Sequence, residues 1–196
     1  MRILIISTPR SGSTTLTESL CRLLLCDSYH EPFNNDHPAL ASKSYPTHLP
    51  SSMVLKTMFF QLPNDEKDPF NFYSNKLGDY DKVIILSRKD VHASYESFNH
   101  NIKNNQNGNW HKEYIYKEKD FNIELFNQFL KWTSDIIEFS FINNIPITWY
   151  EDLYSYDLKV RENSILNMNL ELNTNDIINE LNKFSKYRKF NKQSFI

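Results

Sequence analysis

The sequence predicts an α/β protein, a three-layer fold with a central parallel sheet flanked by helices, and two observations carry that expectation. Short apolar runs such as Ile3-Leu4-Ile5-Ile6 and Val83-Ile84-Ile85-Leu86 alternate along the chain with segments whose apolar residues recur at helical spacing. Strands covered on both faces read as continuous apolar runs, and parallel strands need long, usually helical, crossovers between them. The polar clusters fall just after the strand runs, beyond the carboxyl ends, where ligands bind in such sheets. The chain of 196 residues fits one domain spanning 1–196, large enough to bury roughly 70% of the surface its unfolded form would expose. No repeat or linker divides it.

Each element has its own signal. Ile3-Ile6 is the first strand, and Leu16-Leu25 follows as a helix with Thr15 and Glu18 in capping-box spacing. Cys21 and Cys26 lie five residues apart there, a spacing that rotates two helical residues away from a shared face, so both are expected as separate buried thiols. Asp27-His30 is a short strand candidate ending at Glu31-Pro32. Residues 33–52, rich in proline and small polar residues, read as a long irregular loop, and loops of that length usually carry function or move. Met53-Lys56 is a third strand and Lys82-Leu86 a fourth. A helix from Lys89 to Ile102 follows, with Ser87 and Asp90 in capping-box spacing, and Asn104-Asn109 breaks it. Asn122-Ile142 has helical periodicity and Ile145-Tyr150 is a late strand.

Composition limits the partners. A formal net charge of -2 gives no general pull toward nucleic acid or acidic membranes, so no nucleic-acid partner is expected and anion binding must be local. Met1-Arg2 looks like the charged start of a signal peptide, but Ile3-Ile6 is too short for its apolar region, and no uninterrupted apolar stretch of about 18 residues follows. A soluble, cytoplasmic protein without stable membrane insertion is the expectation.

The chemistry concentrates in Ser7-Thr8-Pro9-Arg10-Ser11-Gly12-Ser13-Thr14-Thr15, between the first strand and the first helix. Backbone N–H groups at a helix start lack intrahelical acceptors, and the helix dipole adds about half a positive charge there, so a phosphate is the natural occupant. A Walker A loop needs Gly-x-x-x-x-Gly-Lys-Ser/Thr; this loop has one glycine and no lysine after it. A second cluster, Ser87-Arg88-Lys89-Asp90 with Ser94, follows the fourth strand. Two stations on one sheet edge suggest a ligand with two separated phosphates. Taken singly, the loop is also explained as a helix cap and Arg88 as a solvated arginine; their joint occurrence in this order favours the ligand.

Thr8-Pro9-Arg10-Ser11-Gly12-Ser13-Thr14 resembles the 5′-phosphosulfate loop of the sulfotransferases, and Leu86-Ser87-Arg88-Lys89-Asp90 with Ser94 and Phe98 resembles their 3′-phosphate motif. Tyr150-Glu151-Asp152-Leu153 is similar to a tetrapeptide common after the late strand of that family, although Glu151 or Asp152 could equally just begin a helix. The resemblance runs from Ile3 to Leu153. It implies a P-loop-like fold that uses 3′-phosphoadenosine 5′-phosphosulfate (PAPS) as sulfuryl donor, leaving adenosine 3′,5′-bisphosphate (PAP) as product. Proline-arginine in the loop looks more like carbohydrate-modifying and bacterial members than cytosolic steroid or phenol enzymes.

The resemblance assigns Arg10, Ser11, Gly12, Ser13, Thr14 and Thr15 to the 5′-phosphosulfate, with Arg10 meeting the charge that develops on the leaving group, and Arg88 and Ser94 to the 3′-phosphate. Arg188 and Lys189, in Lys186-Tyr187-Arg188-Lys189-Phe190, resemble a late loop that closes over the 3′-phosphate, with Phe190 in place of its glycine; a solvated basic tail is the alternative. No metal is expected, since side-chain cations suffice for a sulfuryl group. His92, Glu96 and His100 share a helical face but lack the His-Glu-x-x-His pattern.

Cytosolic members carry Lys-Thr-His after the third strand, whereas this chain reads Lys56-Thr57-Met58, which leaves Lys56 near the transferring group without the histidine base. Tyr29-His30-Glu31-Pro32-Phe33 resembles the segment that supplies a catalytic glutamate in carbohydrate-type and bacterial members. Glu31 is therefore the expected general base and His30 the reserve, with a Glu31 pKa raised by partial burial. The small-molecule or carbohydrate acceptor is expected between the 33–52 loop and the 58–75 segment, near Phe59, Phe60, Phe70, Phe72, Tyr73 and Trp110, which would equally serve as plain core. The alternatives are a P-loop-fold small-molecule kinase and a catalytically inactive nucleotide-binding module.

Overall fold

Alternate residues of the first strand, β1 (Arg2–Ser7), are buried on opposite faces of a sheet, and that alternation builds the three layers. The computed structural model describes residues 1–34, 43–106 and 121–185. Five strands, β1, β2 (Asp27–His30), β3 (Met53–Met58), β4 (Lys82–Ser87) and β5 (Ile147–Trp149), pair in the order β2-β3-β1-β4-β5, all parallel. Ile3, Ile5, Val54, Ile84 and Leu86 face α1 (Ser13–Leu24), α6 (Leu158–Leu166) and α7 (Thr174–Ser185). Leu4, Ile6, Leu55 and Ile85 face α2 (Pro69–Lys76) and α4 (Ile123–Ile142). Helices on both faces satisfy the apolar surface of every central strand. β1 lies at the centre, and the chain moves from β1 to one side for β2 and β3, then crosses to the other for β4. The carboxyl end of β1, where the loop to α1 begins, lies at that change of direction, the place where ligands bind in such sheets.

Asn122 caps α4 by accepting from Leu125 N–H at 3.0 Å, as the expected helix start implies. The first helix differs. It begins at Ser13, immediately after Gly12, whose φ of +79° turns the chain into the helix, and no side chain caps it. The Thr15–Glu18 capping box does not form: Glu18 instead pairs with His30, 2.5 Å away on β2. At α3 (Val91–Gln106) the cap is Asp90, which accepts from Ala93 N–H at 2.9 Å, while Ser87 is the last residue of β4 and meets Thr8.

The separation of Cys21 and Cys26 is also corrected. α1 ends at Leu24, and Leu25 takes a left-handed conformation, so Cys26 folds back to donate its N–H to the Cys21 carbonyl at 3.1 Å and the two thiols meet. Helical rotation does not apply beyond a helix end. Cys21 is buried, Cys26 only partly, and both are free thiols.

Helices α2, α6 and α7 were not among the expected elements, whereas the one-turn α5 (Tyr150–Leu153) contains Glu151 and Asp152, the residues that could begin a helix. α2 has clear local logic once located: Asp68 accepts from Phe70 N–H and Asn71 N–H, and Pro69 occupies the first turn. No helix among the described residues is long and apolar enough to cross a membrane.

Candidate functional site

The loop after β1 is anchored to both neighbouring strands. Phe59 N–H donates to the Ser7 carbonyl and Thr8 N–H to the Leu86 carbonyl, each at 3.1 Å, and the hydroxyls of Thr8 and Ser87 lie 3.2 Å apart. Ser11 Oγ donates back to the Thr8 carbonyl at 2.8 Å, closing the turn. Arg10 takes φ +62° and Gly12 φ +79°, left-handed conformations that fold the loop tightly onto the helix start. The first intrahelical bond runs from Leu16 N–H to the Gly12 carbonyl, so the N–H groups of Ser13, Thr14 and Thr15 have no acceptor within the helix. Ser13 and Thr15 are buried and Thr14 is exposed.

Gly12 is constrained from above as well. A Cβ there would stand 2.7 Å from a Tyr154 ring carbon and 2.9 Å from a Tyr150 ring carbon. Neither tyrosine was a sequence candidate for packing on the loop; the Tyr150-Glu151-Asp152-Leu153 match was the one pointer toward it.

Lys56 and Glu31 meet beside this loop. Strand alternation turns Lys56 to the α1 side with Val54, and Lys56 Nζ lies 3.5 Å from Thr14 Oγ1. Glu31 follows β2 with φ +49° and donates its N–H to the Lys56 carbonyl at 2.7 Å. Its carboxylate pairs with Lys56 Nζ through Oε1 and accepts from Gln61 Nε2 at 2.9 Å and Asn34 Nδ2 at 3.0 Å through Oε2. Gln61 is itself held by Met58 N–H, which donates to its Oε1 at 3.1 Å. Burial alone would push the Glu31 carboxyl up, but the charge of Lys56 and the hydrogen bonds from Lys56, Gln61 and Asn34 hold it below its ordinary value. The expected rise is thereby overturned. Gln61 and Asn34 stand in no recognisable motif; only their nearness to the expected acceptor segments hinted at them.

The second station is braced rather than open. Ser94 Oγ donates to the Pro9 carbonyl at 2.7 Å and Arg10 Nε to Ser97 Oγ at 3.0 Å, so α3 supports the loop through both residues. Arg88 leaves β4 with its side chain largely buried, its guanidinium carbon 4.5 Å from the centre of the Tyr150 ring. The sequence candidates Arg10, Ser11, Gly12, Ser13, Thr14, Thr15, Lys56 and Glu31 thus form one connected cluster, with Ser94 tied to the loop and Arg88 to the same tyrosine that covers Gly12. His30 stands one residue before Glu31 and pairs with Glu18. Arg188, Lys189 and Trp110 lie outside the described residues.

The aromatic residues of the 58–75 segment divide. Phe59, Phe72 and Tyr73 are core, and the Tyr73 hydroxyl donates to the Gln61 carbonyl at 2.6 Å, fixing the turn that carries Gln61. Phe60 stacks on Trp132 with ring centres 4.1 Å apart. An open groove of about 400 Å³ is lined by Phe60 and by Asn34 and Gln61, the two amides that bond the Glu31 carboxylate; Glu31 itself is buried behind them. His92 lies 3.6 Å from Glu96 on the surface, and the described residues hold no cluster of three or more His, Cys, Asp or Glu placed to bind a metal. No protein-family model matches the sequence, and no curated protein matches it.

Proposed function

We propose that the protein binds PAPS at this sheet edge and transfers its sulfuryl group to a hydroxyl of a small-molecule or carbohydrate acceptor. The observation that carries the reading is the link, through Thr14, between a helix start without a side-chain cap and a buried lysine–carboxylate pair. The residues suit such a donor: first-turn N–H groups without an intrahelical acceptor for one phosphate, and a braced arginine, Arg88, for the other.

The donor supplies the electrophile: a bond forms between the acceptor oxygen and sulfur while the bond from sulfur to the bridging phosphate oxygen breaks, leaving negative charge on that oxygen. The N–H groups of Ser13, Thr14 and Thr15 with the α1 dipole, together with Lys56 Nζ, stabilise that charge, and fixed donors aimed at developing charge are the strongest aid such a site can give. Arg10, whose Nε is held by Ser97 of α3, adds a positive charge at the turn of the loop. Glu31 takes the hydroxyl proton of the acceptor. Lys56 keeps it ionised and so ready to accept, though a weaker base than a raised carboxyl would be. The acceptor would lie in the groove lined by Gln61 and Asn34 and reach Glu31 by displacing one of those amides from its carboxylate.

A thermal-shift panel tests the donor. A ligand that binds only the folded state raises its stability, so PAP should raise Tm and ATP with magnesium should not. The reverse pattern would establish the P-loop-fold kinase instead. Transfer of labelled sulfate to carbohydrate extracts should be lost in Glu31→Gln.

One observation favours a second reading, nucleotide binding without turnover: both Glu31 oxygens already carry hydrogen bonds within the protein. Stabilisation by PAP with no sulfate transfer to any extract would select it.

A further inference from the structure

Arg88 is held from two sides by residues of the late segment Tyr150-Glu151-Asp152-Leu153. We infer that Glu151 is a positioning residue which, with the ring of Tyr150, aims Arg88 at the ligand phosphate remote from the reacting centre. The inference rests on the donor reading above and gives this segment a role that reading leaves unfilled.

Arg88 is the first residue after β4, where a long side chain would ordinarily spread into solvent. Here its guanidinium lies over the face of Tyr150, and Glu151 Oε1 stands 3.6 Å from Arg88 Nε. That separation exceeds a hydrogen bond, and Arg88 Nε is buried without a hydrogen-bond partner. The carboxylate is instead fixed by the main chain next to Arg88: Lys89 N–H donates to Oε2 at 3.0 Å and Asp90 N–H to Oε1 at 3.3 Å. Glu151 therefore stands beside the guanidinium as an oriented charge without occupying it. Lys89, the nearest competing cation in sequence, is drawn off to Asp152 at 2.7 Å.

Tyr150 also lies against Gly12. One ring thus supports the arginine of the second station and covers the glycine of the first. The Tyr150 ring lies between the two stations, and a fixed spacing of two anion sites favours a ligand with two phosphates over one with a single phosphate.

The test uses the full chain and two probes, PAP and adenosine 5′-monophosphate, with dissociation constants measured by calorimetry or competition. Glu151→Ala should weaken bisphosphate binding at least about tenfold and change monophosphate binding by less than about twofold, as expected of one lost charge-assisted contact. Added to Arg88→Ala, it should cost nothing more, because its effect passes through that arginine. Equal weakening of both probes, or effects that add in the double variant, would show that Glu151 only supports the start of α3 and would overturn the inference. Glu151→Gln, which keeps an oxygen for the Lys89 N–H, carries the same comparison where Glu151→Ala fails to fold. Failure of the unaltered protein to bind PAP would sink the donor reading and this inference together; normal binding without the selective loss would sink this inference alone.

Discussion

The Tyr154 hydroxyl donates a 2.9 Å hydrogen bond to the Gly12 carbonyl, joining residues 142 positions apart where α1 begins. The same carbonyl accepts from Leu16 N–H, so the late segment and the first helical turn share one acceptor. Shape at the loop is therefore set by the first helical turn together with the segment that follows β5.

Gly12→Ala tests that closure. The left-handed φ costs a side-chain residue about 1–2 kcal/mol, and a methyl forced against two tyrosine rings adds about 1–3 kcal/mol. Chemical denaturation should show a loss of about 2–5 kcal/mol, along with weaker binding of PAP. Stability equal to that of the unaltered protein would mean that the rings yield.

Lys56→Met leaves the Glu31 carboxylate buried without a countercharge, its hydrogen bonds from Gln61 and Asn34 aside, which should cost about 3–5 kcal/mol. Replacing both partners, Lys56→Met with Glu31→Leu, should recover much of that loss, since no charge then remains to be desolvated. A double variant as unstable as Lys56→Met alone would show that the surrounding amides, and not the charge, set the cost.

The acid limb of stability reports the same pair. Glu31 sits below its ordinary value of 4.5 in the folded protein, so its ionised form contributes stability at pH values above 4.5. That contribution is lost as pH falls through the folded value. The gap in stability between the unaltered protein and Glu31→Gln should therefore narrow below pH 4.5, as followed by urea titration. A gap that stays constant into strong acid would contradict the ion pair.

Asp90→Ala removes the cap of α3 and should cost about 1 kcal/mol, with fraying visible as reduced helical circular dichroism. Ser87→Ala should leave that signal unchanged, because the Ser87 hydroxyl faces Thr8. Equal fraying in both variants would restore the capping box expected from their spacing.

Some elements were readable because their causes are local. Ile3-Ile6 announces a buried strand by composition, and Asn122 with the apolar period after it announces α4. Errors arose where one signal had two uses. Thr15 and Glu18 have the spacing of a capping box, yet a glycine with positive φ starts the helix earlier and His30 claims the glutamate. Cys21 and Cys26 are separated by helical geometry only while the helix lasts.

By itself, the sequence determined the α/β class, four of the five strands nearly to their ends, and the place of the loop between β1 and α1, because strand burial and turn chemistry act over a few neighbouring residues. The tertiary structure decided the strand order, the meeting of Glu31 with Lys56, 25 residues away, and the bracing of Arg88 by Tyr150 and Glu151. It also decided the direction in which the Glu31 carboxyl moves. Burial pushes that group up, while the charge of Lys56 and the hydrogen bonds from Lys56, Gln61 and Asn34 push it down. Only the folded arrangement of those partners determines which prevails.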